Sequence, residues 1–164
     1  MQLSVHAGDA TAFKGGMLVL GRFAGGEPSA AEQAVDQALG GALSKAAARL
    51  LFKGKPRQKV VLDTLGKLPA ERVMLLGLGD ADGITGAVIR DFAALGAREA
   101  KAARLDDLGV VVPDGVDATE IALGVELGAW AYTTLITDDP DAPRFELQRA
   151  SLITTADVDA ALKK

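Results

Sequence analysis

Residues 72–78 form a short, almost wholly apolar segment near the middle of the chain. A strand with one face in water alternates apolar and polar residues, so this continuous run indicates a central strand covered on both faces. The glycine-rich loop 79–83 follows it, and residues 85–104 then carry apolar side chains along one helical stripe. This order of strand, loop and amphipathic helix predicts a parallel or mixed sheet packed between helices.

The rest of the chain continues the alternation of strands and helices. Ser29 and Glu32 match the capping box that begins a helix, and Gly40 with Gly41 permits the left-handed conformation that ends one. We therefore expect a three-layer α/β/α domain with a mixed, mainly parallel sheet. Strands are predicted at 2–6, 17–23, 59–63, 72–78, 108–112 and about 145–153, and helices at 31–39, 42–51, 85–104, 117–132 and 156–163.

Two glycines interrupt the helix predicted at 117–132. Gly124 and Gly128 lie four residues apart, and each lowers helix propensity by roughly 1 kcal/mol relative to alanine. Glycine at such positions exposes the helix backbone. We therefore expect this helix to pack closely against a neighbour.

Composition limits the class of protein. The 164 residues fit one domain, 1–164, and a content of 49% hydrophobic and 24% charged residues is typical of a globular chain. The formal net charge of −4 argues against a nucleic-acid partner, because such proteins carry a basic face. The absence of cysteine excludes disulfides, thiolate metal sites and a cysteine nucleophile.

Targeting signals are not evident either. No apolar run approaches the roughly 20 residues of a membrane-spanning helix. The first ten residues lack the basic and apolar regions of a secretory signal peptide. The sequence predicts a cytoplasmic protein without a membrane partner.

Several phrases of the sequence occur in a characteristic order. They are Val-Asp-Gln-Ala-Leu-Gly-Gly at 35–41, Phe-Lys-Gly-Lys at 52–55, and Arg-Val-Met-Leu-Leu-Gly-Leu-Gly at 72–79. The helix beginning near Ile121 adds Leu-Gly-Ala at 127–129, followed by the aromatic residues Trp130 and Tyr132. In this order and spacing the chain resembles the N-terminal domain of the leucyl aminopeptidases, over essentially its whole length.

The resemblance implies a macro-domain-like fold that, in the full enzymes, packs beside a catalytic domain and helps to organise a hexamer. It also implies that the metal ligands and the catalytic residues of the family lie in that other domain. No catalytic residue is therefore assigned to this chain, and no cofactor is expected.

The glycine loop is the first candidate ligand site. Gly77, Gly79 and Gly83 follow a buried strand and precede a helix, where backbone amides can face a phosphate. A dinucleotide-binding loop has the spacing Gly-x-Gly-x-x-Gly. Here Asp82 occupies the third glycine position, and Asp80 adds a second negative charge that repels a phosphate.

Two further groups are candidate contacts with a protein partner. Lys53 and Lys55 belong to the most basic cluster of the chain, which lacks the spacing of a nucleotide P-loop. The alternative for these lysines is a solvated turn. Trp130 and Tyr132 bury large areas at low entropic cost and could anchor an interface, with core packing as the alternative.

Metal and nucleophile chemistry have little support in the sequence. The carboxylates Asp138, Asp139 and Asp141 lack the ligand alternation, glycine and final glutamate of a calcium loop. His6 is the one histidine of the chain, so a histidine cluster for zinc cannot form. No metal site is predicted.

Three hypotheses for function follow. The first is a non-enzymatic interaction or assembly module that self-associates or binds a protein. The second is the N-terminal portion of a full dinuclear-metal leucyl aminopeptidase. The third is a binder of ADP-ribose or a nucleotide in the crevice that a macro-like fold would provide.

Overall fold

A computed structural model describes residues 1–130 and 145–154. Two single 3₁₀ turns, Ala10–Ala12 and Ala81–Gly83, accompany the regular elements. The strands are β1 Gln2–Ala7, β2 Gly15–Phe23, β3 Lys59–Asp63, β4 Ala70–Gly79, β5 Asp107–Val111 and β6 Arg149–Thr154. The helices are α1 Ala30–Ala38, α2 Ala42–Arg49, α3 Gly86–Ala102 and α4 Ala118–Ala129.

The six strands form one sheet in the order β1-β6-β5-β2-β4-β3. All neighbouring pairs are parallel except β3 with β4, which are antiparallel. The prediction of a mixed, mainly parallel sheet is therefore confirmed. The antiparallel strand lies at the edge, where the short connection from β3 to β4 can form a hairpin.

Each face of the sheet packs against its own pair of helices. On one face, Val73 and Leu75 of β4 join Val35 and Leu43 from α1 and α2 in an apolar cluster. The opposite face carries a larger cluster, to which β4 contributes Met74, Leu76 and Leu78, and α3 and α4 contribute the helical residues. This gives the three predicted layers, and it explains why β4 is apolar on both faces.

Helix termini follow the predicted capping residues with one correction. The hydroxyl of Ser29 accepts a hydrogen bond from the Glu32 amide at 3.2 Å, as a capping box requires. The Glu32 carboxylate, however, does not complete the box, because it binds Arg22 on β2. Gly40 and Gly41 adopt the left-handed conformation expected of them, with φ of 65° and 81°.

Close packing of α4 against α3 is confirmed at both glycines. A Cβ atom on Gly124 would overlap the carbonyl oxygen of Arg90 and lie 2.7 Å from the Cβ of Ala93. A Cβ atom on Gly128 would overlap the carbonyl oxygen of Ala94. Larger side chains at either position would force the two helices apart.

The predicted strand at 145–153 is too long at its amino end. Strand β6 begins at Arg149, which pairs with Gln2 of β1 and Asp107 of β5. Both neighbouring strands begin at those residues, so the chain before Arg149 has no strand to pair with. Leu147 is nevertheless buried against the larger apolar cluster, which explains the apolar pattern that suggested a longer strand.

Some predictions fall outside the described residues. These are the end of the helix 117–132 with Tyr132, the acidic loop with Asp138, Asp139 and Asp141, and the helix 156–163. Within the described part of the chain, no helix is long and apolar enough to cross a membrane.

Candidate functional site

The sheet has a topological switch point between β2 and β5. The chain leaves β2 toward α1 on one face and leaves β5 toward α4 on the opposite face. In open α/β sheets, such a divergence opens a crevice at the carboxyl ends of the strands, where ligands commonly bind. Here a crevice of about 240 Å³ lies between Arg22, the start of α1, and Asp114 after β5. It is the candidate ligand site of the fold.

Arg22, which lines this crevice, belongs to a buried ion pair. Arg22 donates from Nε to Oε2 of Glu32 at 3.1 Å, and a second guanidinium nitrogen binds Oε1. The Glu32 residue is only 2% exposed. The guanidinium also lies over the ring of Phe52, 5.3 Å from its centroid. Arg22 is thus the link between β2, α1 and the segment after α2.

The electrostatics of the crevice do not favour an anion. Glu32 offsets the positive charge of Arg22, and Glu27 and Asp114 add two carboxylates to the lining. A phosphate group would meet these carboxylates at short range without an unpaired cation beside it. The third hypothesis, an ADP-ribose or nucleotide binder, therefore stays a prediction that the charge of this crevice opposes.

The amides of the glycine loop already donate hydrogen bonds within the chain. Gly77 donates to the carbonyl of Gln58 and Gly79 to the carbonyl of Gly54, both at 2.9 Å. The amide of Gly83 donates to the backbone carbonyl of Asp80 at 3.1 Å. Their assignment as ligand-binding residues stays a prediction. In this structure those three donors are engaged.

The glycine loop and the basic turn 53–58 pack against each other. A Cβ atom on Gly77 would overlap the carbonyl oxygen of Lys55, so glycine is required there. The amides of Lys53 and Lys55 both donate to Oε1 of Gln58, at 2.9 and 3.1 Å. The two phrases are separate in the sequence, and no local pattern indicates that the Gln58 side chain holds the turn.

Lys53 and Lys55 themselves are exposed on this turn. Neither ammonium group is engaged in an ion pair among the described residues, whereas Arg57 pairs with Asp91 and Lys59 with Glu99. The two lysines are therefore accessible to a partner. Their assignment to an interface stays a prediction.

The outer face of α4 combines exposed apolar side chains with the exposed polar residues Thr119 and Glu126. Leu123, Leu127 and Trp130 are 44%, 61% and 67% exposed, and their spacing of four and three residues places them on one side of the helix. We call these three residues the α4 stripe. Trp130 was predicted as an interface residue from the sequence, whereas Leu123 and Leu127 were not, although their helical spacing from Trp130 was a usable signal.

A second hollow lies at the amino ends of the strands. It measures about 820 Å³ and includes Ser4, His6 and Arg149. Ser4 Oγ lies 3.0 Å from His6 Nε2, while hydrogen bonding to Asp107 raises the pKa of Arg149 above its ordinary value. This hollow is larger than the crevice, but it lies at the end of the sheet opposite to the switch point. Among the described residues no group of carboxylates and histidine could hold a metal ion.

The strand order and the divergence of α1 from α4 define an α/β domain of the macrodomain fold. The structure of a macrodomain from Oceanobacillus iheyensis superimposes with a TM-score of 0.63 at 12% identity, covering 97% of this chain and 86% of that one. The predicted macro-domain-like fold is confirmed.

The family is narrower than the fold. The sequence model of the cytosol aminopeptidase family, N-terminal domain, matches residues 19–138. This chain belongs to that family, as its resemblance to the leucyl aminopeptidases predicted. A tomato leucine aminopeptidase mutant superimposes with a TM-score of 0.78 at 22% identity, covering 99% of this chain and 35% of that chain.

Curated relatives agree with this assignment. Probable cytosol aminopeptidases of Geobacter sulfurreducens and Sinorhizobium fredii are 32% and 33% identical, over 80% and 85% of this chain. The chain spans only 28% and 29% of those two proteins. The similarity thus covers the N-terminal domain of the family.

Proposed function

We propose that this chain acts as a protein-interaction and assembly module. The observation that supports the proposal is the α4 stripe. A surface helix normally presents a polar face to water, whereas a helix that is apolar on all sides is a buried helix. The outer face of α4 departs from this rule, because Leu123, Leu127 and the C-cap residue Trp130 are exposed there beside only two exposed polar residues of the helix, Thr119 and Glu126.

The inner face of α4 shows why the outer face is unusual. Ile121 and Val125 are fully buried, and Gly124 and Gly128 bring the backbone of α4 against α3. The packing against α3 therefore already uses the apolar residues that the fold requires. Leu123 and Leu127 are not members of the apolar cluster that this packing forms. An exposed apolar patch on a folded domain commonly marks a protein interface.

The experiment compares two leucine-to-glutamate variants. Leu127→Glu places a charge in the α4 stripe, and Leu50→Glu places the same charge at another exposed leucine, which is 56% exposed after α2. Light scattering over a range of concentrations measures the average molecular mass. We expect wild type and Leu50→Glu to associate and Leu127→Glu to lose mass toward the monomer. A Leu127→Glu variant that associates like wild type would contradict the proposal.

A second function is favoured by the coverage of the relatives. Because the chain spans under a third of the curated aminopeptidases, the same residues could be the N-terminal portion of a full metallo-aminopeptidase. In that protein the catalytic domain would be a partner for the α4 stripe. The natural reading frame decides: a stop codon directly after Lys164 removes this function, and a continuation that encodes metal ligands establishes it.

A further inference from the structure

The hairpin between β3 and β4 ends in a strained residue. Leu65 and Gly66 have φ of 52° and 81°, and the amide of Lys67 donates to the carbonyl of Thr64 at 3.0 Å. Two central residues with positive φ define a type I′ turn, where asparagine followed by glycine is preferred. A bulky leucine with positive φ is a conformational outlier, and the strain of its backbone lowers the stability of the folded protein.

The same leucine is also exposed to an unusual degree. Leu65 is 87% exposed, more than any other large apolar side chain of the described residues. The turn beneath it is firmly held, because Thr64 is buried and its hydroxyl donates to the carbonyl of Ala70 at 2.5 Å. The hairpin thus presents an apolar side chain at a rigid tip, at a cost in both backbone strain and exposure.

A groove on the same molecule has the complementary chemistry. It measures about 390 Å³ and lies between α1 and the carboxyl ends of β5 and β6. Its apolar lining consists of Ala10, Ala30, Ala31, Ala34, Val111 and Ile153. This volume exceeds that of one leucine side chain. Ala10, Val111 and Ile153 are buried at its base, and the accessible apolar surface is provided by Ala30, Ala31 and Ala34.

The hairpin tip at Leu65 and the groove also carry opposite charges. Asp9 lines the groove and is exposed, and Lys67 is exposed two residues after Leu65. An apolar side chain in the groove would therefore bring a lysine close to an aspartate at its rim. Such opposite charges favour one orientation of the two surfaces.

The tip and the groove cannot meet within one molecule. The tip follows Asp63, which pairs with Arg72 near the start of β4, whereas the groove contains Val111 and Ile153 at the ends of their strands. The two surfaces therefore lie at opposite ends of the sheet. A contact between them joins two copies head to tail, and this type of interface can continue to a third copy.

We propose that the Leu65 tip of one copy of this chain docks in the Ala30–Ala34–Ile153 groove of a second copy. This contact is separate from the α4 stripe, although it rests on the proposed role in assembly. The partner is thus a second copy of this chain, and Lys67 and Asp9 set the orientation.

Cross-linking tests the contact directly, because the chain contains no cysteine of its own. One preparation carries Glu71→Cys, at an exposed residue whose carbonyl accepts a hydrogen bond from the Thr64 amide beside the tip, so that Lys67 is retained. The other carries Gly8→Cys in the groove lining, where a Cβ atom meets nothing within 4 Å. After mixing, a short bismaleimide should join the two preparations severalfold more efficiently than Glu71→Cys with a Leu50→Cys control. Equal yields for the two pairs would overturn the proposal.

Two further variants identify the surfaces. Leu65→Asn on the Glu71→Cys chain, or Ala34→Glu on the Gly8→Cys chain, should reduce the cross-link to the control level. Leu65→Asn should also raise the Tm by about 2–4 °C, because asparagine relieves the strain of the turn. An unchanged cross-link with Leu65→Asn would overturn the role of the tip. A cross-link that persists in the Leu127→Glu chain separates this contact from the α4 stripe, so either proposal can fail alone.

Discussion

Arg22 and Glu32 form the most buried ion pair of the described residues, with side-chain exposures of 16% and 3%. Removing two charges from water is costly, and the pair is tolerated because its geometry provides two hydrogen bonds. Either residue alone would leave an uncompensated charge between β2 and α1. The pair therefore holds β2 and α1 in position through a balance that a single substitution disturbs.

Replacing Arg22 by methionine should lower the free energy of unfolding by about 3 kcal/mol, because Glu32 would remain buried without a cation. The double variant Arg22→Met with Glu32→Met should recover most of this loss, since it removes both charges. The single variant Glu32→Met completes the double-mutant cycle, and urea denaturation of the wild type and the three variants measures the coupling. A single Arg22→Met variant as stable as the wild type would show that the pair is unimportant.

Local sequence rules predicted only half of the arrangement at Glu32. The spacing of Ser29 and Glu32 correctly indicated the start of α1, because the Ser29 hydroxyl acts over three residues. The partner of the Glu32 carboxylate lies ten residues earlier, on a strand brought beside α1 by the fold. No local pattern indicates such a contact.

At the scale of the elements, α3 and α4 depend on the absence of side chains. Gly124 and Gly128 permit backbone contact with α3, and Arg90 of α3 forms an ion pair with Glu120 of α4. The sequence predicted the close approach because glycine is unfavourable within a helix unless the space is needed. It could not identify α3 as the neighbour, since that depends on which helices share a face of the sheet.

Gly124→Ala should lower the free energy of unfolding by about 2 kcal/mol, because the overlap with Arg90 outweighs the gain in helix propensity. Gly83→Ala serves as the control. A Cβ atom there meets nothing within 4 Å, and its φ is not in the left-handed region. Thermal or chemical denaturation of both variants measures the difference. Equal stabilities for the two variants would contradict the close packing of α3 and α4.

At the scale of the whole molecule, the alternation of strands and helices predicted the layers and the mixed sheet. The continuous apolar run in β4 was informative because a strand buried on both faces must be apolar on both. The crevice could not be predicted in the same way. It arises where β2 and β5 become neighbours, although they are far apart in the sequence.

The charge of that crevice leads to a prediction about ligands. Isothermal titration calorimetry with ADP-ribose at millimolar concentration should give no saturable heat, because Glu27 and Asp114 lie in the crevice and Glu32 neutralises Arg22. A titration with buffer is the control for heats of dilution. A saturable heat with ADP-ribose would instead support the third hypothesis and weaken the argument from charge.

The contact between the basic turn 53–58 and β4 has a consequence for proteolysis. Lys53 and Arg57 are exposed, and each would ordinarily be a cleavage site for trypsin. Cleavage requires several residues to detach from the fold, but the turn is bound through the backbone to Gly77 and Gly79 and through Gln58 to its own amides. The folded chain should therefore resist trypsin at this turn until β4 itself unfolds.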